Sequence, residues 1–154
     1  MRSIAILDAG PLLASLDRRD PDHVRSAEVL RRRDLDLVIP TLVIAEVAHF
    51  AALRLGPGGE AAFVRGLNRF GVEDPHPDDW PLIADLVDRY GDFPLGTVDA
   101  SIVVLADRLD TDLIVTLDRR HFGAIRSPRG RSFRLLPEPK RVHEDPADYS
   151  PTPA

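Results

Sequence analysis

Apolar residues along this chain fall into short runs that alternate between two spacings, one suited to strands and one to helices. Continuous runs through Ile4-Ala5-Ile6-Leu7, Leu37-Val38-Ile39 and Leu113-Ile114-Val115-Thr116-Leu117 predict strands near 3–7, 37–39 and 112–117. Weaker runs predict two more, near 71–73 and 132–136. Between them apolar side chains recur every three or four positions. Leu12, Leu13 and Leu16 predict a helix over 10–18, and a second follows over 21–33. Asp20 is placed to cap that second helix, with Pro21 at its first position. The stretch 41–55 is apolar nearly all round, which predicts a buried helix. Gly56-Pro57-Gly58-Gly59 then breaks the chain, and Phe63, Leu67 and Phe70 line one face of a further helix. Helices over 79–90 and 98–109, the latter capped by Thr97, complete the series. Strands alternating with helices predict an α/β protein, its parallel sheet of four to five strands covered on both faces.

Composition adds bounds. A chain of 154 residues, 44% hydrophobic and 29% charged, suits one ordinary domain, expected over 1–136. The segment 137–154 holds five prolines and few apolar residues, so it is expected to be a flexible tail. With no cysteine, disulfides and thiolate metal sites are excluded. No apolar stretch approaches the roughly 18–20 residues of a membrane span, and Asp8 cuts the first run too short for a secretory signal. The expected location is the cytoplasm. The net charge of -5 argues against a polyanionic partner until its distribution is considered. Asp8, Glu46, Asp99 and Asp118 carry -4 and the tail -2, which leaves +1 on the remainder.

Those four acids carry the candidate chemistry. Asp8 ends the first apolar run, Glu46 interrupts the run from Leu42 to Ala48, Asp99 opens the helix from Val98, and Asp118 follows the run ending at Leu117. Each has an ordinary explanation. Asp8 and Asp118 could cap helices or turns, and Asp99 suits the dipole at a helix start. Glu46 is harder to dismiss, because its helical neighbours Leu42, Val43, Val47, Ala48, Phe50 and Leu53 offer nothing to neutralise it. All four map to the carboxyl ends of parallel strands, where ligands of such sheets collect. Grouped acids without matching Lys or Arg most naturally share a cation, so the pattern predicts a divalent metal site.

Other candidates are weaker. Thr116, two positions before Asp118, could orient a water there or simply be a β-branched strand residue. Asp92 reads as a turn residue. His49 forms an i, i+3 pair with Glu46, but a di-iron bundle needs that motif twice. His23, His76, His121 and His143 lack zinc-ligand spacing. Arg31, Arg32 and Arg33 suit a helix end, whereas Arg119 and Arg120 stand beside Asp118 and could reach phosphates or equally form a solvated pair. There is no GxGxxG, P-loop or GxSxG signature. A haloacid-dehalogenase reading fails because Gly10 stands where its second acid is needed.

The segments LDAGPLLA (7–14), TLVIAEVAHF (41–50), GTVDASIVVLA (96–106) and VTLDRRHF (115–122) resemble PIN-domain ribonucleases, specifically VapC-type toxins of toxin–antitoxin pairs. DRRDPDH (17–23) is similar to the same group. The resemblance implies a three-layer α/β/α sandwich and a Mg²⁺ or Mn²⁺ site at Asp8, Glu46, Asp99 and Asp118. Thr116 matches the family's hydroxyl residue. It also implies an endoribonuclease acting on tRNA or ribosomal RNA loops, a homodimer, and a VapB-type antitoxin lying in a hydrophobic groove. Leu12, Leu13, Leu16, Phe63, Leu67 and Phe70 are the candidates for that groove. A housekeeping nuclease without antitoxin, or a non-catalytic binding module on the same fold, are the alternatives.

Overall fold

The strand with the most complete burial lies at the centre. In β1 (Ser3–Leu7), Ala5, Ile6 and Leu7 are fully buried on both faces, as an interior strand of a parallel sheet must be. The protein is described by a computed structural model over residues 1–139. β1 pairs with β2 (Leu35–Pro40) on one side and β4 (Leu113–Val115) on the other. β3 (Gly71–Glu73) and β5 (Arg134–Leu136) form the edges, so the order is β3-β2-β1-β4-β5 with every pairing parallel.

Parallel neighbours require crossovers, and right-handed crossovers fix where the helices go. The chain steps from β1 through α1 (Ala9–Leu16) and α2 (His23–Leu30) to β2, then through α3 (Thr41–Gly66) to β3. It returns across the sheet through α4 (Asp79–Arg89) and α5 (Thr97–Arg108) to β4, and α6 (Arg119–Ala124) leads to β5. The change of direction puts α1–α3 and α4–α5 on opposite faces. It also leaves a switch point between β1 and β4, where crossovers diverge and a crevice opens at the carboxyl ends.

Several expected elements differ in detail. The second helix starts at His23 rather than at 21, because the Asp20 carboxylate accepts the Asp22 N–H at 2.8 Å and holds Pro21 in a turn. Arg31 caps its end, so Arg31–Arg33 lie beyond the last turn instead of within it, and Arg32 pairs with Asp34. The predicted break is present: α3 is two helical segments joined at a kink. Gly56 alone leaves helical geometry, at φ 71°, and Pro57 restarts the helix where a missing N–H costs nothing. That helix stops at Gly66. Leu67 sits in a 3-10 turn and Phe70 in extended backbone, so they do not share its face with Phe63. Gly96, not Thr97, occupies the cap position of α5.

The largest correction concerns burial. In the stretch 41–55 of α3, only Val43, Val47 and Ala51 are buried, and Leu53 is 69% exposed. α5 is the helix buried all round, from Ala100 to Asp107, packed between α4 and the sheet. The tail expected from 137 onward lies, beyond Pro139, outside the described residues, as does His143.

Two buried acids on the α4–α5 side are matched by arginines. Asp79 lies 3.2 Å from Arg108 Nε and accepts the His76 N–H at 2.8 Å. That Nε is not aligned for a hydrogen bond, and Arg108 instead donates to the Asp74 carbonyl at 2.9 Å. Asp107 faces Arg129 at 3.1 Å and Arg131 at 3.3 Å.

Candidate active site

The backbone first brings strand ends together, and their side chains follow. The Asp8 N–H donates to the Val115 carbonyl at 2.9 Å, so the end of β1 is fastened beside the end of β4. One residue on, the Thr116 hydroxyl donates to Asp8 Oδ2 at 2.7 Å and accepts the Asp118 N–H at 2.9 Å. Thr116 therefore positions two of the predicted acids, and its single proton is already committed to Asp8.

Asp8 also caps α1, its Oδ1 accepting the Ala9 N–H at 2.7 Å. Asp118 caps α6 by accepting the His121 N–H at 2.9 Å, and its other oxygen lies 2.5 Å from His121 Nδ1. The ordinary capping readings of both residues thus hold alongside their place in the site. Glu46 and Asp99 differ: neither carboxylate has a hydrogen-bond or ion-pair partner among the described residues. Glu46 comes from α3 beyond β2, and Asp99 from the first turn of α5.

Asp8, Glu46, Asp99 and Asp118 line one open cleft of about 390 Å³, together with Gly10, Leu13, Asp20, Phe50, Arg54 and Leu117. Arg54 is the one cation of that lining. The electrostatics follow from this imbalance. Asp99 is pushed up to about 6, first by burial and then by the charges of Asp8, Glu46 and Asp118, with His121 opposing. Burial raises Asp8 as well, against hydrogen bonds from Thr116 and Ala9. Glu46, only half-buried, is raised by burial and by Asp8. Each group resists ionisation chiefly because burial strips its hydration, and the neighbouring acids add to that cost.

Among the described residues no three His, Asp or Glu side chains form a tight cluster that would grip an ion directly. The four acids instead surround an open space. That arrangement suits a hard cation that keeps part of its water shell, with some carboxylates reaching it through water.

The structure also places the remaining candidates. Asp92 lies in an exposed turn, and His49 is exposed with its ring against Phe50. Arg119 does not face the cleft as expected; it donates to the Leu135 and Pro137 carbonyls at 3.3 and 2.9 Å. Arg120 lies over the Phe93 ring. Reading of the sequence missed Asp20, Arg54 and His121 as neighbours of the acids, and took Phe50 only as an apolar neighbour of Glu46. Only weak signals pointed there: Phe50 and Arg54 follow Glu46 at helical spacing, and His121 follows Asp118 by three.

Comparison with known proteins agrees with the geometry. Residues 5–126 match the PIN domain family. The chain is 37% identical over 134 residues to Ribonuclease VapC26 of Mycobacterium tuberculosis, covering 86% of this chain and 99% of that protein. The fold superposes on VapC20 of M. tuberculosis, a Sarcin-Ricin loop cleaving toxin, with a TM-score of 0.66 and 17% identity over 73% of this chain and 87% of that one. It superposes equally, at 0.66 and 15% identity, on VapBC2 from Rickettsia felis bound to a DNA fragment from their promoter, covering 87% of this chain and 99% of that one. The chain belongs to the PIN-domain family, as a VapC-type nuclease.

Proposed function

We propose that this protein is an endoribonuclease and the toxin of a toxin–antitoxin pair, hydrolysing RNA phosphodiester bonds with a divalent cation held by Asp8, Glu46, Asp99 and Asp118. One observation carries the reading: four carboxylates from separate parts of the chain meet at a single cleft with one cation among its lining residues. Their oxygen donors fit Mg²⁺, with Mn²⁺ able to substitute. When bound, such an ion lowers the pKa of a coordinated water and neutralises charge developing on the phosphate.

The chain's own residues supply the rest. Asp8 and Asp99 would be the central ligands, and Glu46 and Asp118 would act directly or through water. Thr116 holds Asp8 at 2.7 Å and so fixes one donor relative to the other. Glu46 and Asp99 have no competing hydrogen bonds among the described residues, which leaves them able to accept the proton of an attacking water. In-line attack yields a 5′-phosphate and a 3′-hydroxyl.

A VapB-type antitoxin is the proposed partner. A small groove of about 60 Å³ lined by Leu12, Leu16, Leu30, Phe63 and Phe70 supports it, although Leu12 and Phe63 are mostly core. Leu13 lines the acidic cleft instead. Exposed Leu53 and Val64 on α3 offer apolar area for the proposed homodimer. No helix of the described residues is long and apolar enough to cross a membrane; tRNA or ribosomal RNA as substrate suits the cytoplasm, the proposed location.

The test is direct. Purified protein is incubated with total RNA in Mg²⁺ or Mn²⁺, with and without chelator, and the new 5′ ends are mapped. Cleavage that persists unchanged in chelator, or leaves 2′,3′-cyclic ends, would refute the metal-assisted reading.

A further inference from the structure

A cleft lined by acids repels the RNA it is proposed to cut, so attraction must come from groups beside them. Two such groups pair a phenylalanine with an arginine, one lining the cleft and the other outside its lining, joined to Asp118 through His121. On α3, Phe50 follows Glu46 by four residues and Arg54 follows by four more, so the three share a helix face. Phe50 and Arg54 both line the cleft, and the Arg54 guanidinium sits 5.3 Å from the Phe50 ring centroid. On the other side, Asp118 contacts His121, whose ring lies 4.6 Å from Phe93 at 52°. The Arg120 guanidinium covers Phe93 at 5.7 Å.

The sheet order sets these pairs apart. α3 leaves β2 and α6 follows β4, and those strands flank β1 with its Asp8. Both phenylalanines are half-buried and both arginines exposed. Neither arginine has an ion-pair partner among the described residues, whereas Arg19, Arg25, Arg32 and Arg134 each hold an Asp. An aromatic face beside an uncommitted guanidinium matches a nucleotide, whose base stacks and whose phosphate takes the charge.

We infer that Phe50–Arg54 and Phe93–Arg120 are two nucleotide-binding platforms, one on each side of the acids, that hold unstacked bases flanking the scissile phosphate. The inference rests on the ribonuclease reading and adds to it the groups that seat the strand. A base already paired and stacked in a duplex has no free face to offer either ring. The platforms therefore select single-stranded segments without reading their sequence, because every base offers a π-face.

The experiment uses the full chain and a short fluorescein-labelled single-stranded RNA of mixed sequence. Binding is followed by anisotropy in chelator, and cleavage by kcat and KM in Mg²⁺. Phe50→Ala and Phe93→Ala are each expected to raise Kd and KM roughly tenfold, the scale of one lost base stack, with kcat changed far less. Phe50→Trp and Phe93→Trp are expected to restore binding, which a merely structural role would not do. Arg54→Ala and Arg120→Ala are each expected to reduce the slope of log K against log salt by about 0.7, one phosphate contact. Duplex RNA of the same sequence is expected to bind the native chain and both Phe→Ala variants equally.

If the native chain cuts RNA while both Phe→Ala variants keep its Kd and KM, the platforms fall and the ribonuclease reading stands. If the native chain neither binds nor cuts RNA under any divalent cation, both fall. Variants that bind RNA normally but lose self-association or antitoxin would assign these side chains to a protein interface and overturn the inference.

Discussion

Asp79 and Asp107 are as deeply buried as Asp8, at 6%, 8% and 8% exposure, yet their surroundings are opposite. Asp79 has Arg108 beside it, and Asp107 has Arg129 and Arg131. Asp8 has Thr116, a backbone N–H and the charge of Asp118, and it shares its cleft with Glu46 and Asp99. A buried acid is tolerated when a fixed cation offsets its lost hydration. This chain has arginines enough for that, and it places them around α4, α5 and the segment before β5. At the carboxyl rim of β1 it leaves the acids facing one another. The first arrangement holds the fold together; the second keeps a standing electrostatic cost that a bound cation would relieve. The contrast separates a charge-matched acid from a candidate ligand more sharply than burial does.

That comparison can be broken from either side. Asp8→Asn or Asp99→Asn is expected to slow RNA cleavage roughly a hundredfold or more, the scale of removing one key electrostatic group. Circular dichroism is expected to show unchanged secondary structure, and near-native cleavage by a folded variant would remove that residue from the site. On the other side, Arg108→Ala leaves Asp79 buried beside no cation. It is expected to cost about 3 kcal/mol in urea unfolding while cleavage by the remaining folded protein holds.

A smaller effect sharpens the distinction by its sign. Folded Asp99 keeps its proton up to about 6, whereas the unfolded chain releases it near 3.8. Between those values the unfolded state binds fewer protons, so stability of the metal-free protein falls as pH rises through this window. Asp99→Asn removes that fall and is expected to stabilise the chelated protein at neutral pH by roughly 1 kcal/mol, discounted for its partial exposure. Added Mg²⁺ is expected to raise the native protein's melting temperature at neutral pH and leave that of the variant nearly unmoved. A native melting curve that improves steadily from pH 4 to 7 in chelator would contradict the sign. The smallest expected change is in Thr116→Val, which loses the hydrogen bond to Asp8 and the acceptor for the Asp118 N–H. About 1 kcal/mol of stability and a severalfold drop in kcat are expected, the scale of one part-buried hydrogen bond.

The acids were visible in sequence for a simple reason. Periodicity reveals strand ends, and an acid set where an apolar pattern demands none stands out against it. Asp8, Glu46 and Asp118 were legible on that ground, and the parallel alternation brought Asp99 to the same rim. Phe50, Arg54 and Asp20 were not, because an aromatic, a surface cation and a turn acid are ordinary in their local settings. Nothing in the order of residues says which of them faces the cleft.

What the sequence alone determined, then, is the alternation of strands and helices, the place of each acid on its element, and the breaks at Gly56 and at the strand ends. These are local matters, settled by spacing, backbone preference and the cost of a stray charge. Tertiary structure decided which helix became the interior one. The segment 41–55 looked the more apolar, yet α3 is covered on one side only, and α5 is enclosed by α4 and the sheet. It also decided that Arg119 would hold the carbonyls of Leu135 and Pro137 instead of facing the acids, and that the four carboxylates would line one open cleft. A side chain's polarity is fixed by its identity, but its partners are fixed only when distant segments close around it.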